Sequence, residues 1–244
     1  MKLTELITDP RLAYHDELNP KLWVSSDEDL ELDPQIHDRL MQIATEFVRS
    51  LKVPDSAIVD YVLTGSNANY NWTSFSDIDV HVIVNYTELG TCKLDLEDCI
   101  LAKKTLWNDR HDITIRGHPV EMYASKSTDR LVQDSGCYSI LRNDWIKRPT
   151  WRSIKIDSIV ISKKADELAM EIDQIIDSKT NDQKTIEDIA DRLWKYRQSG
   201  LSKGGEFSVE NLTFKALRNN GYIDKIREYA RRTYDKSLSL ESIA

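Results

Sequence analysis

The chain has 244 residues, with 33 Lys and Arg against 41 Asp and Glu and a formal charge of −8. Apolar residues make up 40% and charged residues 30%, the balance of a globular protein and not of a fibrous or disordered one. That length sustains one large domain or two small ones without disulfide staples.

The start, MKLTELITDPRL, lacks the apolar run of a secretory leader, so a cytoplasmic protein is expected. The first 35 residues read as an irregular arm, with turn signals at Asp9-Pro10, Asn19-Pro20 and Asp33-Pro34. Residues 1–60 hold 13 acids and 6 bases. Ile36, Leu40, Ile43, Ala44, Phe47, Val48 and Leu51 fall on one helical stripe, which Pro54 ends. Ala57 to Leu63 is apolar and β-branched and reads as a strand. Asp77 to Val84 alternates, with Ile78, Val80, Val82 and Val84 on one face and Asp77, Asp79, His81 and Ile83 on the other. Ile78 to Val84 is the most apolar run in the chain, far short of the roughly 20 residues a membrane span needs.

A helix is expected over about 95–108. Asp112 to Tyr123 reads as a hairpin turning at Gly117, and a further strand lies near Tyr138–Leu141. Cys92, Cys99 and Cys137 form no CxxC and no even framework, so they are expected as reduced thiols. After Pro149 the pattern becomes helical. Stripes at Ala165–Ile176 and Ile186–Arg197 come first. A helix over about Ser208–Asn219, stopped by Gly221, and one over about Ile223–Tyr234 follow. Trp194 is expected in the helical core. Residues 192–236 carry 11 bases against 5 acids, a basic stretch suited to a polyanion. The fold class is therefore α+β: a mixed sheet with flanking helices over 1–150, then a helical half over 151–244.

One constellation carries chemistry. Leu63-Thr64-Gly65-Ser66 ends a strand, ten residues follow, and Asp77-Ile78-Asp79-Val80 opens the next. Side chains two apart on a strand share a face, about 7 Å apart, so Asp77 and Asp79 stand side by side. Two such carboxylates repel unless a cation lies between them, and hard divalent ions such as Mg²⁺ take oxygen donors while keeping positions open for phosphate. Gly65 allows a phosphate to approach the backbone, and Ser66 adds a hydroxyl and an N–H. Glu121, flanked by Val120 and Met122 in a strand, is the third acid. Such a Glu is disfavoured in a core unless it is paired or ligates a metal. Asp112 and Asp95 are the rivals; Asp112 only opens its strand and Asp95 reads as helical. Asp77, Asp79 and Glu121 together suit a two-metal clamp. His81 points to the same face and His111 and His118 are expected at the surface. There is no zinc spacing, P-loop or dinucleotide fingerprint.

Gly65-Ser66, the ten-residue gap, Asp77-Ile78-Asp79 and Val120-Glu121-Met122 resemble the signature of the DNA polymerase beta-like nucleotidyltransferase superfamily. The resemblance covers about residues 57–124. The family places Gly-Ser at the end of one strand, Asp-x-Asp on the next and a third acid on a following strand. It implies a transferase that uses Mg²⁺ or Mn²⁺ to move a nucleoside monophosphate from a nucleoside triphosphate, with ATP favoured, to an acceptor hydroxyl. Asp77, Asp79 and Glu121 would be catalytic and metal-binding, and Gly65 and Ser66 would hold phosphates. The acceptor would be RNA or tRNA, a protein, a small molecule or another nucleotide. A helical segment would close over the nucleotide, with Lys203 in a Gly-rich loop and Lys215 and Arg218 on one helix as phosphate contacts, Arg192 and Tyr196 near the base, and Tyr138-Ser139 at the cleft edge. Asn19-Pro-Lys-Leu-Trp23 and Glu210-Asn211 to Lys215-Ala-Leu-Arg218 are also similar to nucleotidyltransferase-like proteins of tailed bacteriophages. The competing expectation is an inactive nucleotide- or partner-binding module on the same fold.

Overall fold

The structure, a computed structural model, describes residues 15–26, 29–89, 93–126, 136–151 and 156–240, the side chains of 26, 29 and 93–97 excepted. Cys92 and Ser135 lie outside the described residues, as does the side chain of Asp95. The described residues up to 151 form one compact unit and residues 156–240 a second, each with its own apolar core. The class is α+β, with a mixed sheet and six α-helices among the described residues. No described helix is long and apolar enough to cross a membrane.

In the first unit, β1 (Trp23–Ser26) and β2 (Asp29–Leu32) pair antiparallel. Over residues 15–35 this corrects the expectation of an irregular arm; residues 1–14 of that arm lie outside the described residues. Leu18, Leu22, Trp23 and Leu32 are all buried, so the turn signals there punctuate a packed segment. Helix α1 (Pro34–Leu51) starts where the Asp33 side chain accepts from the Gln35 N–H, with Pro34 at the first position. Its apolar stripe is buried as the periodicity predicts. β3 (Ile58–Thr64) and β4 (Ile78–Val84) are antiparallel neighbours at the centre of the main sheet. Helix α2 (Lys93–Arg110) then leads to β5 (Thr114–Ile115) and β6 (His118–Ser125), joined by Arg116 and Gly117. Both turn residues have positive φ, 48° and 86°, as the tightest right-twisted hairpin turns require. β7 (Cys137–Ser139) and β8 (Asp144–Lys147) complete the strand order β5-β6-β4-β3-β7-β8. Among the described strands only β4 and β6 run parallel.

The α1 stripe packs in one cluster with Ile78, Val80, Val82, Val84, Val120 and Met122. The alternation of the strands therefore turns Asp79 and His81 of β4, and Glu121, Tyr123 and Ser125 of β6, to the opposite face. On the free side of β6, the Asn108 amide of α2 takes the place of a strand. It donates to Met122 O at 3.0 Å and accepts from Met122 N–H at 3.1 Å. Tyr138, expected near the cleft, has its ring fully buried, edge-on at 5.1 Å to both Trp23 and Trp145, which stack on one another at 4.6 Å. Its strand neighbour Ser139 donates to the Asp60 carboxylate, which also takes the Arg142 guanidinium. A fully buried ring set edge-on against two stacked indoles belongs to the core.

In the second unit α3 (Ser158–Asp177), α4 (Gln183–Gly204), α5 (Val209–Asn219) and α6 (Tyr222–Leu238) pack around Ile161, Ile172, Ile186, Leu193, Leu217 and Ile226. Trp194 is not in that core: it is 47% exposed, edge-on to Phe214, with the Arg197 guanidinium 5.4 Å from its ring. Ile186, Ile189 and Leu193 use up the inward stripe, and the next position turns outward.

A buried polar network ties the segment after β3 to the start of β4. Asn67 and Asn19 are fully buried and His118 nearly so, which corrects the surface expectation for His118. Asn67 donates to Asp77 O at 2.9 Å and Ser76 O at 3.2 Å, and accepts from Asn19 at 2.8 Å. His118 meets Ser76 O through Nδ1 at 2.8 Å and Asn19 Nδ2 through Nε2 at 3.1 Å. A carbonyl only accepts, so Nδ1 carries the proton and Nε2 receives the Asn19 amide. Asn67→Ala would take its donor from the Asp77 carbonyl and one of two bonds each from Ser76 O and the Asn19 amide, which keep His118, and it is expected to cost about 2–4 kcal/mol of stability in urea denaturation. A change below about 0.5 kcal/mol would show that the network carries no load.

Candidate functional site

The face opposite α1 is built by register. In the parallel pair Asp79 stands beside Glu121, His81 beside Tyr123 and Ile83 beside Ser125. In the antiparallel pair Thr64 stands beside Asp79, so Gly65, the next residue, is delivered against the same carboxylate. The contact is close: a methyl group built on Gly65 would stand 2.0 Å from Asp79 Oδ2. Gly65 also adopts φ 78° and ψ −163°, a backbone region open essentially to glycine alone. Space and conformation thus both require glycine here.

Ser66 follows in a short 3₁₀ turn over residues 66–68, and its hydroxyl donates to Ser76 Oγ at 2.8 Å. Ser76 Oγ in turn accepts from the Thr73 N–H at 2.9 Å. Asn67 reaches the Asp77 carbonyl, so the Gly-Ser turn and the acid pair are fixed to one another through the buried network.

Beyond Glu121 the face becomes a cluster around Tyr123. The Tyr123 hydroxyl donates to Glu121 Oε2. The His81 ring lies nearly parallel to the Tyr123 ring, 4.6 Å between centroids and 11° between planes. Lys104 of α2 brings its ammonium 4.4 Å from the same ring. His81 Nδ1 is 2.9 Å from Ser125 Oγ. Burial pushes the Tyr123 phenol far above its ordinary range, and the charges of Asp79, Glu121 and Asp77 push it further, as does its bond to Glu121. All three acids therefore act on this one hydroxyl, which stays protonated and serves as a donor. Burial, helped by the Lys104 charge, lowers His81 to about 4.

Gly65, Ser66, Asp77, Asp79 and Glu121 thus gather at one end of the β3–β4–β6 face. Lys203, Lys215 and Arg218 belong to the helical unit. Lys203, expected in a Gly-rich loop, lies in the last turn of α4, which continues through Gly204 and stops at Gly205 with φ 69°. Lys215 and Arg218 share a face of α5, both half-buried. Arg192 pairs with Glu171 at 2.5 Å, and with Tyr196 it lines a cavity of about 260 Å³ between α3 and α4. His111 is exposed.

Oxygen donors such as the three carboxylates suit hard divalent cations in kind, and the register of β4 and β6 sets Asp79 and Glu121 on neighbouring positions. Among the described residues no group of three or more His, Cys, Asp or Glu is gathered into a ready ion cage. The residues that sequence reasoning missed are Tyr123 and Lys104, and behind them Asn67, Asn19 and His118. Tyr123 had one visible signal, its place two residues beyond Glu121 on the same strand face.

Two outcomes follow from this geometry. Gly65→Ala is expected to lower stability by about 1–3 kcal/mol, from backbone strain and displacement of Asp79; a neutral substitution in thermal unfolding would refute the close approach. His81 is held neutral, so its stabilising effect is complete above about pH 6.5 and is lost as pH falls toward 4, a change on the order of 3 kcal/mol. Wild-type denaturation between pH 7 and 4 should show this loss and His81→Phe should lack it; equal slopes would contradict the burial of the ring. No protein-family model matches the chain, and neither the curated proteins nor the solved structures give a match.

Proposed function

We propose that the Gly65–Asp79–Glu121 face is the catalytic face of a nucleotidyltransferase, on a sheet of the nucleotidyltransferase type. The reaction moves a nucleoside monophosphate from a nucleoside triphosphate, with ATP favoured, to an acceptor hydroxyl and releases pyrophosphate. The observation that carries the reading is the apposition of Gly65 to the Asp79 carboxylate while Asp79 stands beside Glu121 on the parallel strand. Three segments distant in sequence meet at one point, and each brings the residue type that phosphoryl transfer uses.

Each residue has a task in this reading. The Gly65 backbone, having no side chain, lets the β- and γ-phosphates approach, and the Ser66 N–H and hydroxyl lie beside it. Asp77, Asp79 and Glu121 would hold Mg²⁺ or Mn²⁺. Divalent cations bound there supply charge neutralisation for the triphosphate and a lowered pKa for the attacking hydroxyl. Glu121 stands where it can accept the proton of that hydroxyl. The buried Asn67 bridge keeps the phosphate turn and the acid pair in fixed relation, which is the positioning such a reaction depends on.

A second reading is a catalytically inactive module that holds a nucleotide or a partner on the same face. It draws on the engagement of Glu121 by Tyr123 and on the carboxylates not being gathered as they stand. The two separate in one assay. Incubation with each NTP, Mg²⁺ or Mn²⁺ and acceptors of each class is expected to release pyrophosphate. Asp77→Ala with Asp79→Ala should reduce release to background. Release that persists in the double variant would refute the assignment. No release with any acceptor, together with nucleotide affinity unchanged in the double variant, would establish the module.

A further inference from the structure

The strand order arranges the site from side to side. Gly65 follows β3, Asp79 lies on β4 and Glu121 on β6, and α2 takes the free side of β6 through Asn108. One turn before Asn108 on that helix, Lys104 brings its ammonium 4.4 Å from the centre of the Tyr123 ring, whose hydroxyl reaches Glu121. The Gly65-Ser66 turn and the Lys104 ammonium therefore flank the Asp79–Glu121 pair from opposite sides. Asp79, His81, Glu121, Tyr123 and Lys104 are each partly exposed, while Val62 and Ile83 of the same face are buried. An open strip thus runs across β4 and β6 to Lys104. Among the described residues Lys104 forms no ion pair, although it borders a face that carries three carboxylates.

We infer that Lys104 marks the acceptor side of the site, and that the acceptor is a hydroxyl compound bearing a phosphate: a nucleotide or the end of a nucleic-acid strand. The inference rests on the nucleotidyltransferase reading and names its acceptor. Phosphoryl transfer sets the attacking and leaving oxygens roughly in line, on opposite sides of the phosphorus. The acceptor oxygen bonds to the α-phosphorus as the bond from that phosphorus to the pyrophosphate oxygen breaks, and the hydroxyl proton passes to Glu121. With the leaving pyrophosphate at Gly65-Ser66, the acceptor enters from the α2 side, past Lys104. A phosphate entering there would otherwise meet only carboxylates. The ammonium is what makes an anionic acceptor admissible, and its charge is not used up by a carboxylate. A neutral alcohol gains nothing from it, and an amino sugar would bring like charge against it.

The test is equilibrium binding of a fluorescently labelled short oligoadenylate with a free 3′ hydroxyl to the full chain, read by anisotropy. A non-hydrolysable ATP analogue is present to fill the donor side. Unlabelled AMP and adenosine serve as competitors. Wild type is expected to bind the oligonucleotide or AMP at least about tenfold more tightly than adenosine, the size of one charge-assisted contact. Lys104→Gln should lose that tenfold preference, while Lys104→Arg keeps affinity within about threefold. Where the oligonucleotide binds, Lys104→Gln should also flatten the logarithmic salt dependence by about 0.7, one phosphate contact on a single strand. Binding of AMP as tight as that of the oligonucleotide identifies a free nucleotide, and binding of the oligonucleotide alone identifies a strand end. A lysine that only packs on Tyr123 would leave the preference and the salt slope unchanged in Lys104→Gln, which would overturn the inference. So would equal competition by AMP and adenosine with no oligonucleotide binding. A tenfold loss of affinity for the ATP analogue in Lys104→Gln would overturn it too, because the ammonium would then serve the donor. Each of these results leaves the nucleotidyltransferase reading standing; that reading falls on pyrophosphate release that persists in the Asp77→Ala, Asp79→Ala variant.

Discussion

Carboxylates crowded on one face of a sheet repel, and the sheet tolerates them only where something opposes that repulsion. Asp77, Asp79 and Glu121 are set on one face by the period of two and by the parallel pairing of β4 with β6. Every unusual feature nearby answers to this constraint. Gly65 gives up its side chain where Asp79 approaches. Tyr123 donates to Glu121 with a phenol that the acids themselves keep protonated. Lys104 brings a positive charge to the edge of the cluster and, with burial, keeps His81 neutral beside it.

The buried network behind the face explains how it is held. Asn67 is the centre, linking the turn after β3 to the carbonyls that precede β4, and Asn19 and His118 satisfy what remains. Trp23 adds a hydrogen bond from its indole to Asn67 O at 2.7 Å. The segment around Asn19 and Trp23 therefore acts as a brace for the site. A buried polar network of this kind is stabilising only when each member is satisfied, so it fixes the turn in one geometry.

Much of this was legible in the residues. Alternation put Asp77, Asp79 and His81 on one side of a strand, and the apolar flanks of Glu121 marked a strand acid. Gly117 marked its turn and the α1 stripe its helix. What was not legible depends on distant pairing. Asn19 meets Asn67 across 48 residues and His118 across 99, and no local pattern encodes such meetings. His118 flanks a turn in sequence, where exposure is the usual fate, and is buried with its ring bonded to Ser76 O and Asn19. Trp194 was misplaced because the inward stripe of α4 was already full, and Lys203 because α4 runs through Gly204 and stops only at Gly205.

The most direct measurement is anomalous diffraction from crystals grown with Mn²⁺ and a non-hydrolysable triphosphate. The expected result is manganese within bonding distance, about 2.2 Å, of Asp77, Asp79 and Glu121, with the triphosphate tail against the Gly65-Ser66 turn. Manganese bound elsewhere with these three carboxylates unengaged, or a triphosphate lodged away from that turn, would contradict the assignment.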